Sequence, residues 1–228
     1  LVSVVLSDVG GGPEVVGSGP TLSRRVPLGD ALRDYELDRR LPSHVLAAVI
    51  GSHSPRRRTH PVITLAEPSH LVAAAHRTLE QEGFKVIHAK DRPESPTLES
   101  HAKTLLKAAC SLQPGEAWVE ACEPVVKLPD SPGRGGRNGH LALTLAREFS
   151  TLNGVMALIA GSDGVDGTSS IAGAAVDTNT WHSLHEPEDS LRAFDTGSLL
   201  ERFPSGVQVL SPGPTGVNLR DLHLLARA

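Results

Sequence analysis

Several features that usually guide the interpretation of a sequence are scarce in these 228 residues. Only two cysteines occur, Cys110 and Cys122, which excludes a fold built on several disulfides and makes a reducing, cytoplasmic compartment the expectation. No apolar run is long enough to cross a bilayer, and the sequence shows no secretory signal pattern. We therefore predict no membrane partner.

An excess of charge of one sign is also lacking. The 22 Lys and Arg residues nearly balance 26 Asp and Glu residues, and the formal net charge is −4 at pH 7. This balance gives no electrostatic reason to expect nucleic acid as a partner. The three arginines at 56–58 have no interleaved aromatic residues, which is typical of a solvated face.

Three motifs of well-known enzyme classes are missing as well. The sequence contains neither a Walker A phosphate loop nor the G-x-S-x-G turn of serine hydrolases. The dinucleotide fingerprint fails at its last glycine, because that position is Asn138. A reductase that binds nicotinamide is therefore poorly supported.

The apolar residues that are present alternate between strand and helix patterns. Residues 61–66 and 84–88 are predicted strands, and residues 68–82 and 98–109 show the spacing of one-faced helices. This alternation predicts an α/β fold with a mainly parallel sheet. We predict further strands at 1–6, 117–122, 125–128, 155–160, 207–210 and 219–225, helices at 31–40 and 141–149, a helix end or a strand at 46–50, and a loop at 177–188.

A proline and a glycine at positions 114 and 115 mark the predicted domain boundary. Residues 1–114 are expected to be part of a Rossmann-like domain with a mainly parallel sheet. Residues 115–228 are expected to form a smaller α/β domain. Ligands of such folds collect where loops leave the carboxyl ends of strands.

The segment from 133 to 167 carries the clearest candidate site. Gly133-Arg-Gly-Gly-Arg-Asn138 precedes the predicted helix, so backbone amides and the positive helix end could bind a phosphate or a carboxylate. Arg134 or Arg137 could add a bidentate contact to that anion. The alternative is a tight glycine turn with both arginines in solvent.

Three carboxylates are candidates for catalysis or metal binding. Asp163 and Asp166 stand between glycines after the predicted strand 155–160, where they could hold Mg²⁺ or orient a hydroxyl group. Asp8 directly follows the first strand and faces a glycine-rich loop. The alternatives are an Asp-Gly turn pair and a capping residue, respectively.

The same segments resemble a known family. Gly133-Arg-Gly-Gly-Arg-Asn138, with Gly161-Ser-Asp-Gly-Val-Asp-Gly167, is similar to the C-terminal MOFRL domain of the glycerate 2-kinases, which are often labelled hydroxypyruvate reductases. Ser7-Asp-Val9 with Gly17-Ser-Gly-Pro-Thr21 resembles the family's SDV…ASGPT segment, and Gly213-Pro-Thr-Gly-Val-Asn218 resembles its closing GPTGTN motif. The resemblance covers nearly the whole chain, which would correspond to a C-terminal portion of such an enzyme.

The resemblance implies transfer of the γ-phosphoryl group of ATP, with Mg²⁺, to the 2-hydroxyl of D-glycerate or a related hydroxy acid in a cleft between two domains. Asp8 becomes a candidate catalytic or substrate-orienting carboxylate, and Arg137 the candidate that stabilises negative charge. No metal ligand is assigned, and a homodimer is the assembly considered. The remaining candidates for substrate or nucleotide binding are Ser18, Gly19, Arg134, Gly135, Gly136, Asn138, Asp163, Gly164, Asp166, Thr215 and Asn218.

Departures from the family pattern favour a second hypothesis. Acidic positions are replaced within 10–12, at His140 and within 168–171. A catalytically degenerate relative would keep the fold as a ligand-binding or interaction module. The sequence leaves both hypotheses open.

Overall fold

The computed structural model describes residues 2–9, 32, 35–51, 61–91, 95–202 and 208–228, with the side chains of 49–51 and 88–91 excepted. The chain divides into two compact units, residues 1–6 with 11–65 and residues 7–10 with 66–228. The domain boundary at 114 and 115 stays a prediction.

The first unit contains a two-stranded sheet and two short helices. The strands are β1, Ser3–Leu6, and β2, Val62–Ala66, whose last residue belongs to the second unit. The helices are α1, Leu37–Arg40, and α2, Ser43–Gly51. Residues 46–50, which the sequence left open between helix and strand, are therefore helical. Most of the first half of the helix predicted at 31–40 lies outside the described residues.

A six-stranded sheet forms the centre of the second unit, in the order β3-β4-β8-β5-β6-β7. Only β3 and β4 run parallel, and each of the other neighbouring pairs is antiparallel. The α/β class is confirmed. The six-stranded sheet is mixed, because strands after residue 115 add antiparallel pairs, for example where β5 connects to β6 through a loop rather than a crossover helix. The strands are β3, Lys85–Asp91; β4, Glu116–Cys122; β5, Val155–Gly161; β6, Gly173–Asp177; β7, Val209–Leu210; and β8, Asp221–Arg227.

Six helices of the second unit lie within the described residues. They are α3, Pro68–Gln81; α4, Leu98–Ser111; α5, Arg137–Phe149; α6, Thr180–Ser183; α7, Pro187–Arg192; and α8, Thr196–Glu201. The prediction of a loop at 177–188 was wrong, because this segment contains α6 and the start of α7. Both helices are too short to show a helical period in the sequence. The strand predicted at 125–128 was also wrong, because Val125 forms only an isolated bridge with Thr97. None of the helices in the described ranges is long and apolar enough to span a bilayer.

Two apolar cores cover the two faces of the sheet. One contains Leu105 of α4, Phe149 of α5 and Trp118 of β4, and the other contains Val72 of α3 and Val119 of β4. Alternate residues of β4 thus point into different cores, as the strand period requires. Strand β5 is less enclosed than its apolar run suggests, because Met156 is 39% exposed.

Candidate functional site

A cavity of about 460 Å³ lies at the amino-terminal end of α5. Two glycine-rich loops form it, one leading from β4 into α5 and the other leading from β5 to β6. Six of the predicted site residues line this cavity: Gly135, Gly136, Arg137, Asn138, Asp163 and Asp166. The structure thus brings together the core of the segment that the sequence singled out.

Arg137 begins α5 and is held by two carboxylates. Its Nε donates to Asp221 Oδ2 at 2.5 Å, and its Nη2 donates to Glu123 Oε1 at 2.6 Å and to Asp221 Oδ1 at 3.2 Å. Burial alone would lower the pKa of the guanidinium, but the bonds and charges of Asp221 and Glu123 outweigh it and raise that pKa. Arg137 is therefore a permanently charged cation of fixed orientation at the cavity.

The amino-terminal amides of α5 are already bonded within the chain. The buried carboxylate of Asp166 accepts hydrogen bonds from the backbone N–H of Asn138 at 2.9 Å and of Gly139 at 2.7 Å. Burial raises the pKa of Asp166 to about 6, although these two hydrogen bonds act in the opposite direction. Asp166 thus takes the position that the sequence analysis gave to an external anion.

Arg134 does not line the cavity; its side chain pairs with an acidic residue instead. Its two terminal nitrogens donate to the carboxylate of Glu201 at 2.7 and 2.9 Å. Glu201 also accepts from the backbone N–H of Ser170 at 2.8 Å, which lowers the pKa of its carboxyl. Arg134 therefore ties the loop before α5 to α8.

The loops around the cavity approach each other at their glycines. Gly167 has a φ of 58°, and a Cβ at this position would collide with the carbonyl oxygen of Gly135. The same carbonyl accepts a 3.0 Å hydrogen bond from the backbone N–H of Thr168. Gly136 lies against the Asp166 carboxylate in the same way. These glycines are required by close backbone packing.

A third loop, residues 213–220, braces the loop that carries Asp163. The hydroxyl of Thr215 donates to the carbonyl of Ser162 at 2.6 Å, and its backbone N–H donates to the carbonyl of Asp163 at 2.9 Å. Asn218 Oδ1 accepts from the backbone N–H of Arg220 at 2.9 Å. Gly164, with a φ of 85°, packs against the carbonyl of Gly213. Gly164, Thr215 and Asn218 therefore support the cavity without lining it.

The backbone of Asp8 is hydrogen-bonded to the loop of residues 213–220. Its carbonyl oxygen accepts a 2.7 Å hydrogen bond from Nε of Arg220, whose side chain is buried, while the residue Asp8 itself is exposed. Asp8 does not belong to the described cavity lining. The two other candidates, Ser18 and Gly19, lie outside the described residues, as does the altered 10–12 segment.

His140 and Phe194 also line the cavity, although neither is among the site residues predicted from the sequence. Their rings stack with centroids 4.4 Å apart and planes inclined by 22°. Burial is the main cause that lowers the pKa of His140, which favours the neutral form of its imidazole. Val126 and Leu128 add apolar surface. The departure from the family pattern at position 140 was the available signal.

Two polar atoms of the cavity lining are buried and make no hydrogen bond within the described residues. They are Asn138 Oδ1 and His140 Nδ1. Buried polar atoms normally have a partner, so unsatisfied atoms at a cavity indicate a position for a ligand group or for water. Asn138 Oδ1 can accept a hydrogen bond from a hydroxyl group, and His140 Nδ1 can do so in the tautomer that carries its hydrogen on Nε2.

Carboxylates outnumber arginines around this cavity. Arg137 is the one arginine in the described lining, and it is already paired with Asp221 and Glu123, whereas Asp163 and Asp166 both line the cavity. Both Asp166 carboxylate oxygens accept backbone hydrogen bonds. The carboxylate of the exposed residue Asp163 accepts only a 3.2 Å bond, from the backbone N–H of Val165, among the described residues. Asp163 is therefore the carboxylate best placed to contact a cation.

Comparison with known proteins identifies related sequences. Residues 116–221 match the sequence profile of the MOFRL family. The D-glycerate 2-kinase of Thermotoga maritima is 30% identical over 97% of this chain and 55% of its own length. The glycerate kinase of Mus musculus is 29% identical over 99% of this chain and 54% of its own length. The chain thus spans about half the length of the curated relatives it matches.

Two crystal structures share the fold. The glycerate kinase of Thermotoga maritima superposes with a TM-score of 0.83 at 25% identity, over 100% of this chain and 57% of that protein. A Pyrococcus horikoshii protein superposes with a TM-score of 0.76 at 22% identity, over 100% of this chain and 56% of that protein. The similarity to the glycerate kinases that the motifs indicated is confirmed.

Proposed function

We propose that this chain is a member of the glycerate kinase family and that its cavity serves an ATP-dependent kinase for D-glycerate or a related hydroxy acid. The match of residues 116–221 to the MOFRL profile and the similarity to glycerate kinases support this proposal. The observation that carries the proposal is Arg137, a cation fixed by Asp221 and Glu123 at the lining of the cavity. Phosphoryl transfer depends mainly on such positioning and electrostatic stabilisation.

Arg137 retains donors for a ligand. Its Nε and Nη2 groups bind the two carboxylates, whereas Nη1 makes no hydrogen bond to any described residue. The free N–H groups of Nη1 can stabilise negative charge on the transferred phosphoryl group or on the carboxylate of the hydroxy acid. The two carboxylates fix the plane of the guanidinium, so little side-chain entropy remains to be lost on binding.

The two buried acceptor atoms account for recognition of a hydroxyl group. Asn138 Oδ1 and His140 Nδ1 each lack a partner within the described residues. A hydroxy acid that donates a hydrogen bond to one of them would satisfy a group whose isolation costs free energy. An analogue without the hydroxyl would leave the acceptor unpaired, and this difference gives selectivity.

Asp163 supports the requirement for Mg²⁺. This cation prefers carboxylate oxygens, commonly takes one or two of them, and completes its octahedron with water and phosphate oxygens. Asp163 is exposed at the cavity and offers such an oxygen, so the residues fit a Mg²⁺-bound nucleotide. When bound, Mg²⁺ and ATP supply the phosphoryl group and neutralise its charge.

The test is release of ADP from Mg-ATP in the presence of D-glycerate, measured with the longest native polypeptide that contains this chain. Turnover that requires both D-glycerate and Mg²⁺ supports the proposal. L-glycerate, and 3-hydroxypropionate as an analogue that lacks only the 2-hydroxyl, serve as controls for the acceptor. A folded polypeptide that releases no ADP with any of several hydroxy acids would overturn it.

One observation favours a non-catalytic ligand-binding module as the second candidate. The groups expected to attract an anion are neutralised within the chain, Arg134 by Glu201, Arg137 by Asp221 and Glu123, and the α5 amides by Asp166. Calorimetric binding of a hydroxy acid or nucleotide, without any ADP release by the same preparation, would identify this function.

A further inference from the structure

A second group of reactive side chains is buried against one face of the sheet, and none of its members lines the cavity. Glu120 and Cys122 of β4, His223 of β8 and His101 of α4 are all fully buried. Glu120 pairs with His223 in the β4–β8 register, and Cys122 is two residues further along β4, on the same face. Helix α4 contributes His101 from above that face.

The donor atoms of this group are close together. His101 Nε2 lies 2.8 Å from His223 Nδ1 and 3.3 Å from Glu120 Oε1. One donor atom from each of His101, Cys122 and His223 can be chosen so that all three lie within 4.8 Å of one another. These residues are 122 positions apart at their extremes, so tertiary folding alone brings them together.

A site made of two imidazoles and a thiolate binds Zn²⁺ in preference to harder cations such as Mg²⁺. A buried Zn²⁺ would also balance charge, because the Cys122 thiolate and the Glu120 carboxylate would together neutralise the dication. Without a cation, a fully buried carboxylate and thiol on one sheet face are costly to ionise. Complete burial excludes the open coordination position of a catalytic zinc.

We propose that His101, Cys122 and His223 bind a structural Zn²⁺ ion, with Glu120 as the fourth ligand. Tetrahedral zinc has Zn–N distances of about 2.0–2.1 Å and a Zn–S distance of about 2.3 Å, which places its ligand atoms roughly 3.3–3.6 Å apart. The shortest separation, 2.8 Å, must therefore open by about half an ångström, and the longest, up to 4.8 Å, must close by about 1.2 Å or more, so metal binding requires these side chains to rotate.

This site borders the residues that hold Arg137. Cys122 pairs with Asp221 in the β4–β8 register, and Glu123 is the next residue in the chain. A metal bound between the two strands would therefore fix the ends from which both carboxylates project. The site does not depend on the kinase proposal, because it would be structural whether or not the cavity is catalytic.

The first test is the zinc content of the purified wild-type chain, together with Cys122→Ser and Cys110→Ser variants. Cys110 is the only other cysteine and is exposed, so its variant is a matched control. We expect about one zinc per chain in the wild type and in Cys110→Ser, and loss of that zinc in Cys122→Ser. Equal zinc content in both variants would contradict the assignment.

The second test needs no variant and therefore does not depend on whether Cys122→Ser folds. Co²⁺ bound to a thiolate gives a charge-transfer absorption band, which we expect when the metal-depleted wild-type chain is titrated with Co²⁺. A strong chelator should abolish the band and lower the Tm of the wild type. A folded wild-type chain without zinc, without the band and with a Tm unaffected by the chelator would overturn the proposal in favour of a hydrogen-bonded histidine–carboxyl cluster.

Discussion

The carboxylate of Asp166 accepts a 2.9 Å hydrogen bond from the backbone N–H of Asn138, a residue 28 positions earlier in the chain. It also accepts a 2.7 Å bond from the next amide, so one side chain caps two of the free N–H groups at the start of α5. The residue at the usual capping position, Gly136, has no side chain to do this. The cap therefore joins the loop after β5 to the helix that begins the site.

Replacing Asp166 with Ala should destabilise the chain by about 1–3 kcal/mol at pH 5, because two buried amides lose their acceptor. The matched control is Asp163→Ala, which removes an exposed carboxylate of the same loop and should change stability by less than about 1 kcal/mol. Urea unfolding of both variants measures the difference. Equal effects would mean that the cap is not a distinct source of stability.

The raised pKa of Asp166 makes its contribution dependent on pH. The folded chain binds the Asp166 proton with a pKa of about 6, against 3.8 for the ordinary carboxyl. Because the folded state holds the proton more tightly, stability is greatest at low pH and falls as the pH rises through 3.8 towards about 6. The loss approaches about 3 kcal/mol over the whole window.

The measurement is the difference in free energy of unfolding between the wild type and Asp166→Ala at pH 4, 5, 6 and 7. Subtraction cancels the titration of the other groups that both proteins share. We expect the advantage of the wild type to shrink as the pH rises. An advantage that grows with pH would show that the hydrogen bonds, rather than burial, dominate the pKa of Asp166.

The sequence predicted the helices and strands with a clear period and missed those without one. Strand β5 and the apolar face of α5 follow directly from spacing, whereas α6 has only four residues, too few for a period to appear. Strand β8 lies between β4 and β5 and runs antiparallel to both. This placement depends on pairing between distant residues, so no local sequence pattern predicts it.

The site was predictable to a similar degree. Glycines and charged residues marked the loops correctly, and six of the predicted residues line one cavity. The partners of those charges were not predictable, because Arg137 and Asp221 are 84 positions apart. The sequence therefore suggested free anion-binding groups where the structure has internal ion pairs.

Gly167→Ala should destabilise the chain by at least about 2–3 kcal/mol. An alanine in the left-handed region costs about 1–2 kcal/mol, and its Cβ would also collide with the carbonyl of Gly135. The control is Gly115→Ala, where φ is 80° but no atom lies within 4 Å of the added Cβ. That variant should lose only about 1–2 kcal/mol in urea unfolding. A greater loss of stability in Gly115→Ala than in Gly167→Ala would contradict the close approach of the loops that carry Gly135 and Gly167.

The most direct test of the central claim is the ADP-release assay with D-glycerate, applied to Arg137→Lys and to Arg192→Lys in the longest native polypeptide. Lysine keeps the positive charge beside Asp221 and Glu123 but lacks the fork that contacts both carboxylates and a ligand together. Arg192 is an exposed arginine that pairs with Asp189, and its variant controls for loss of a guanidinium elsewhere.

If Arg137 stabilises the transferred phosphoryl group or the hydroxy acid, Arg137→Lys lowers kcat/KM by about 100-fold or more. Arg137→Lys should remain folded at the assay temperature, and Arg192→Lys should keep wild-type turnover. Wild-type turnover in Arg137→Lys, from a protein that releases ADP only when D-glycerate is present, would contradict the role assigned to this residue and to its cavity.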